Sequence, residues 1–248
     1  MDDKQIEEMT LNAWPAFQTI VRNGWLLRLA AGFTKRSNSV SALYSEPSVD
    51  LYEQIRYCER VYAREGLDVV FKITPFNPPE LDSILNEEGY SVLDPTSLKV
   101  LDSLDHTPAP THRDVSVYER LNNEWLDDLT EITGLSARNR EIKQQLFSRS
   151  CIPYGFFTLY DQGRPAACGI GALEENVVGI FDIATAPAYR KRGYGTQILL
   201  HILQWARAKG ATSSYLQVVQ ANLPANRLYD RLRYREIYVY WYRAKHVE

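Results

Sequence analysis

The stretch YRKRGYGTQILLHILQWARAKG, Tyr189 to Gly210, decides the fold. Arg190, Lys191 and Arg192 stand directly before Gly193 and Gly195, and then Ile198, Leu199, Ile202, Leu203 and Trp205 recur at helical spacing until Gly210 closes the run. The helix opens without a proper capping side chain, so its first N–H groups need another acceptor. Glycines let successive N–H groups turn toward one point, and the helix dipole adds partial positive charge there. A phosphate suits that geometry, although a solvated basic turn reads the same way from these residues alone. Two other phosphate loops are excluded by spacing: there is no third glycine for a dinucleotide fingerprint and no Gly-Lys-Ser/Thr for a nucleoside-triphosphate loop.

Composition narrows the rest. The chain has 248 residues, 45% of them hydrophobic, enough for one large domain or two of ordinary size. Its formal charge of −3 supplies no global field for nucleic acid or an acidic membrane, so neither is expected as a partner. Cys58, Cys151 and Cys168 are odd in number and widely spaced, which speaks against a disulfide framework or a zinc site and for a reducing compartment. His106, His112, His201 and His246 show no metal-ligand spacing, and no metal is expected. The opening MDDKQIEEMT is acidic where a signal peptide is basic and then apolar, and no apolar run approaches about 18 residues. A soluble cytoplasmic protein is the expectation.

The polar, proline-containing segment TPAPTHRD, residues 107 to 114, reads as a linker between two patterned parts, residues 1–106 and 112–248. In the first, DLYEQIRYCERVYAREG is a helix with Asp50 and Glu53 as a capping pair, one stripe of Leu51, Ile55, Cys58 and Tyr62, and Gly66 at its end. Strand patterns flank it, in GWLLRLAAGF, NSVSALY, LDVVFKI and TSLKVLDSL, with a short helix in PPELDSILNEEGY. In the second part come two helices, three consecutive strands, the opening stretch, a strand SSYLQVVQ, a helix LPANRLYDRL and a terminal strand. An offset of 144 positions lays Gly66 on Gly210 and Tyr90 on Tyr234, either a degenerate internal duplication or a chance recurrence of a common unit. Under that offset EPSVDL, residues 46 to 51, occupies the place of RKRGYG, without a glycine or a cation.

Arg190-x-x-Gly193-x-Gly195, the approach DIATAPAYR before it, and Asn222-x-x-Ala225-x-x-Leu228-Tyr229 after it resemble, in order, motifs of the GNAT superfamily of acetyl-CoA-dependent N-acetyltransferases. The resemblance covers residues 112–248 and departs at Arg233-Tyr234, where the family often has Gly-Phe. It implies an α/β protein with a mixed sheet: two tandem GNAT-like domains, the first degenerate and lacking the pyrophosphate loop. It implies acetyl-CoA as co-substrate, with Ile183, Ala184 and Thr185 along the pantetheine arm and Arg190, Lys191, Arg192, Gly193, Tyr194, Gly195 and Thr196 around the pyrophosphate. Asn222 and Ala225 enter the cofactor set through the same motif. Arg227, Arg231 and Arg233 either add charge near the outer phosphate or form a solvated helix face.

The implied reaction is direct attack of a primary amine on the thioester in a ternary complex. Tyr229 matches the family's general-acid tyrosine, and backbone N–H groups near Ala184 suit the oxyanion. Asp182 is base or amine anchor; a carboxylate titrating near ~3.9 is a poor direct base for an amine near ~10.4 unless burial or a water relay helps. Cys168 reads as a buried, inert thiol. The acceptor is a small-molecule or peptide amine, with the first half shaping its pocket. The alternatives are a longer acyl-CoA donor and a non-catalytic acetyl-CoA sensor. Nothing in the sequence sets the oligomeric state.

Overall fold

The computed structural model describes residues 2–246. In chain order its elements are α1 (Asp3–Ala13), β1 (Gln18–Arg22), β2 (Trp25–Leu29), β3 (Val40–Ser41), α2 (Leu51–Arg64), β4 (Val69–Ile73), α3 (Leu81–Glu87) and β5 (Ser91–Leu101). They continue with β6 (Val115–Tyr118), α4 (Asn123–Thr133), α5 (Ala137–Ser148), β7 (Tyr154–Asp161), β8 (Arg164–Glu174), β9 (Val177–Thr185), α6 (Tyr194–Ala208), β10 (Ser213–Val219), α7 (Leu223–Arg231) and β11 (Arg235–Lys245). The helix expected from Asp50 forms as α2: Asp50 Oδ1 accepts from Glu53 N at 3.1 Å, and Ile55, Cys58 and Tyr62 are buried. Helix α1 and strands β1 and β6 are additions to the sequence reading.

The chain packs as two compact units. One runs up to Ala13 and takes Leu98–Val218 and Asn222–Ile237; the other takes Trp14–Ser97, Val219–Ala221 and the chain from Tyr238 onward. The packing therefore divides the chain differently from the boundary expected between residues 106 and 112. Residues 98–101 of β5 and all of α1 join the unit built from the second half, and residues 238–245 of β11 join the other.

In the first unit, β6, β7, β8 and β9 lie side by side and antiparallel, β10 pairs parallel to β9, and the end of β5 lies beside β10. Alternation along β7 separates the two faces: Phe157 packs on Trp205 of α6, and Phe156 packs on Trp125 of α4. Helix α6 buries Ile198, Leu199, Ile202 and Leu203 on its side. Helices α4 and α5 bury Trp125, Leu129, Ile142 and Leu146 on the other. In the second unit the order is β1, β2, β3, β4, with β11 antiparallel to β4. Trp25, Leu27, Ile55, Tyr62, Phe71 and Leu85 form its core.

The 144-residue offset relates four consecutive elements of the chain. Helix α2, β4, α3 and β5 recur as α6, β10, α7 and β11 with boundaries within two residues. Both long helices close alike: Leu67 N reaches Tyr62 O at 3.0 Å, and Ala211 N reaches Ala206 O at 2.9 Å, across Gly66 and Gly210 in left-handed conformation.

Candidate active site

Strand β9 carries a bulge. Cys168 pairs with Ala184 and Ile170 with Phe181, so Asp182 and Ile183 together stand opposite Gly169, and Asp182 takes φ +50°. The parallel register of β9 and β10 runs from Val177↔Ser213 to Ile180↔Leu216 and ends there, while β9 continues to Thr185. Past that point Ile183, Ala184 and Thr185 are half-buried. Ala184 and Thr185 pair with Cys168 and Ala167 of β8, and the strand's opposite edge faces the side from which β10 has diverged.

The basic loop lies at the same end. A 3₁₀ turn over Pro187–Tyr189 follows β9, and Arg190 Nε donates to Thr185 O at 3.4 Å. Lys191 and Gly193 both adopt positive φ, +61° and +90°. Gly193 is the N-cap of α6, no side chain caps that helix, and a Cβ on Gly193 would meet nothing within 4 Å. The first turn of α6 thus starts without a side-chain cap, as the sequence implied. A Cβ on Gly195 would lie 3.4 Å from both Leu228 Cδ1 and Thr185 Oγ1, so β9, α6 and α7 converge there. Thr196 N bonds back to Gly193 O at 3.0 Å. Arg190 and Lys191 are exposed, whereas Arg192 is held by Asp161 at 3.1 Å and lies over the rings of Tyr189 and Tyr194. Tyr194 is buried, its phenol pushed up by burial and by the hydrogen bond to Asp161.

On α7, Asn222 Oδ1 accepts from Ala225 N at 3.3 Å, which makes the Asn-x-x-Ala spacing a helix cap. Tyr229 is 7% exposed and shares the core cluster with Leu199, Leu216, Val218 and Tyr234. Arg233, where the family often has glycine, holds φ +66°.

Asp182 does not stand alone. Its Oδ2 lies 2.5 Å from Lys143 Nζ on α5, a side chain only 3% exposed. The sequence reading missed Lys143, and its signal is in RNREIKQQLF: the lysine lies in the buried stripe with Ile142, Leu146 and Phe147. Cys168 is fully buried, and its thiol is pushed far up by burial and then by the charge of Asp182. A cavity of about 630 Å³ opens at the opposite ends of β9 and β10, near Val177 and Ser213. Asp3, Glu8, Asp102, Glu174 and Glu175 line it, a set unsuited to a phosphate. Among the described residues no helix is long and apolar enough to cross a membrane.

A family model described as "Probable histone acetyltransferase Rv0428c C-terminal" matches residues 2–243. The chain is 29% identical over 251 positions to the "Uncharacterized N-acetyltransferase YobR" of Bacillus subtilis (strain 168), across 99% of this chain and 100% of that protein. A GCN5-related N-acetyltransferase from Kribbella flavida superposes with a TM-score of 0.69 at 18% identity, covering 98% of this chain and 93% of that one. A tandem GNAT protein from the clavulanic acid biosynthesis pathway superposes with a TM-score of 0.62 at 11% identity, covering 79% and 70%.

Proposed function

Because the chain belongs to this acetyltransferase family and has the tandem GNAT fold of an N-acetyltransferase, we propose that it transfers the acetyl group of acetyl-CoA to a primary amine. One observation carries the choice of site: β9 and β10 part after Ile180↔Leu216 beside a helix whose N-terminus no side chain caps. The free edge of β9 offers Ile183, Ala184 and Thr185 to the amide groups of the pantetheine arm, as a missing strand would pair. Gly193, Tyr194 and Gly195 direct N–H groups at the pyrophosphate, with Thr196 beside them, and the exposed Arg190 and Lys191 add counter-charge.

In this reading the amine attacks the thioester carbonyl directly while both substrates are bound. Backbone N–H groups near Ala184 donate to the carbonyl oxygen as it gains charge. Tyr229 gives its proton to the thiolate as the C–S bond breaks, and the proton that the amine nitrogen loses passes to Asp182, directly or through a relaying water. The acceptor is a small-molecule or peptide amine.

Calorimetric titration of the wild type with acetyl-CoA, beside Gly193→Asp, tests the site. The variant places a carboxylate in the open space above Gly193, and binding by the wild type that the variant loses is the expected result. No heat of binding from folded wild type overturns the reading. A panel of amines with a free-thiol readout then identifies the acceptor class.

A further inference from the structure

Lys143 occupies a position that stability alone does not favour. Its ammonium is buried on the α4–α5 side of the sheet, 5.1 Å from the Phe147 ring and 6.0 Å from the Trp125 ring. An apolar side chain would complete the stripe of Ile142, Leu146 and Phe147 without the cost of desolvating a charge. The ammonium pairs with the carboxylate of Asp182, which remains 24% exposed at the bulge. The bulge turns Asp182 out of the strand's regular alternation and onto α5, at the level where β9 loses β10.

We propose that Lys143 is a positioning residue for the acceptor amine: by holding Asp182 through Oδ2 it neutralises the carboxylate's charge and leaves Oδ1 as a fixed hydrogen-bond acceptor. This rests on the function proposed above. A lone carboxylate at that place favours the ammonium form of an incoming amine, which has no lone pair for attack. A neutral ion pair gives no such preference and recognises the neutral amine by the direction of its N–H bond. The site therefore selects amines that enter unprotonated rather than polycations. The other titratable groups nearby leave this balance intact. On β8, Cys168 stays a neutral thiol, and on α4, Asp128 accepts the Tyr160 hydroxyl at 2.6 Å.

The test compares the wild type with Lys143→Met, Lys143→Gln and Lys143→Arg, each checked for folding by circular dichroism and for acetyl-CoA affinity by calorimetry. Steady-state rates against amine concentration and pH are the functional readout; the same rates in an Asp182→Asn background, where Lys143→Met should change nothing further, are the independent one. In Lys143→Met or, should that variant not fold, Lys143→Gln, the amine KM falls severalfold while kcat falls about tenfold and its pH optimum rises, because the uncompensated carboxylate now holds the ammonium form. Acetyl-CoA affinity is unchanged, and Lys143→Arg restores most of kcat. Wild-type kcat, KM and pH optimum in the neutral variants make the pair merely structural and overturn the inference, as does a further loss on adding Lys143→Met to Asp182→Asn. A wild type that binds acetyl-CoA and acetylates no amine overturns the proposed reaction instead, and the positioning role falls with it.

Discussion

Tyr229 packs against Tyr234, ring centroids 5.9 Å apart, inside the core cluster of its unit, so the ring is fixed before any substrate arrives. As the proposed proton donor, a ring fixed in this way acts without a reorganisation cost. Tyr229→Phe keeps the packing and removes the hydroxyl; acetyl-CoA affinity should stay at the wild-type value while kcat drops by about 10². Single-turnover rates and calorimetry check the two halves of that statement. Asp82, in the other unit, allows a pH prediction. Arg243 donates to it from Nε at 2.8 Å and Trp241 from Nε1 at 2.9 Å, and the Arg243 hydrogen bonds hold its carboxyl below the usual range. A depressed folded-state pKa stabilises above the unfolded carboxylate's pKa and is lost as pH falls through the folded value. Asp82→Asn should lower Tm at neutral pH and flatten the fall of Tm with acid, read by thermal melts from pH 7 to pH 3. Local geometry was legible from sequence: Gly193 marks a left-handed turn at the uncapped start of α6. The partner of Asp182 was not, because Lys143 lies 39 positions away and only the fold joins them.

At the level of elements, Gly89 and Arg233 occupy equivalent points of the two repeats, each just after a short helix and just before a buried tyrosine, Tyr90 or Tyr234. Both are left-handed, Gly89 at φ +84° and Arg233 at +66°. A side chain there costs about 1 kcal/mol in backbone strain, and glycine loses about 0.5–1 kcal/mol in chain entropy. Arg233→Gly is therefore near neutral or stabilising by a few tenths of a kcal/mol. Gly89→Ala, whose Cβ meets nothing within 4 Å, should by the same balance lose no more than about 0.5 kcal/mol. Urea midpoints at constant m-value check both. The same closing residues made the long helices readable: Gly66 and Gly210 end α2 and α6 where the stripes stop. Helix α1 escaped because only Ile6, Met9 and Ala13 of its apolar side chains are buried, and its acidic start reads as a solvated terminus. Strand β1 escaped although Asn23-Gly24 marks its hairpin turn, since three of its five residues are exposed and its alternation is weak. The β9 bulge has no sequence mark of its own; only the register against β8 reveals it.

For the whole molecule, the consequence lies in which residues complete the catalytic unit. The linker at 107–114 was legible as composition, and cutting there looks like a clean separation of halves. The core says otherwise. Leu98, Val100, Leu101 and Leu104, all 9% exposed or less, belong to the unit that carries the proposed acetyl-transfer site, and all precede residue 107. Lys99 pairs with Asp230 at 2.6 Å, Asp102 takes both Nε and Nη2 of Arg235 at 2.7 Å, and Leu104 N bonds to Thr212 O at 2.9 Å. Helix α1 adds Asn12, whose amide donates to Glu174 at 2.9 Å. Four buried aliphatic side chains at about 2 kcal/mol each come to roughly 8 kcal/mol, comparable with the 5–15 kcal/mol that separates a folded domain from its unfolded chain. A fragment of residues 107–248, although it contains every proposed site residue from Asp182 to Tyr229, should therefore fail to melt cooperatively and should not bind acetyl-CoA. Mixed with residues 1–106 in the course of refolding, it should regain both, because each unit draws strands from both fragments. Differential scanning calorimetry of the fragment, alone and mixed, decides the matter. A sharp transition and wild-type acetyl-CoA affinity from 107–248 alone would mean that residues before the linker are dispensable to that unit, and that the exchange of β5 and β11 between sequence halves contributes little to its stability.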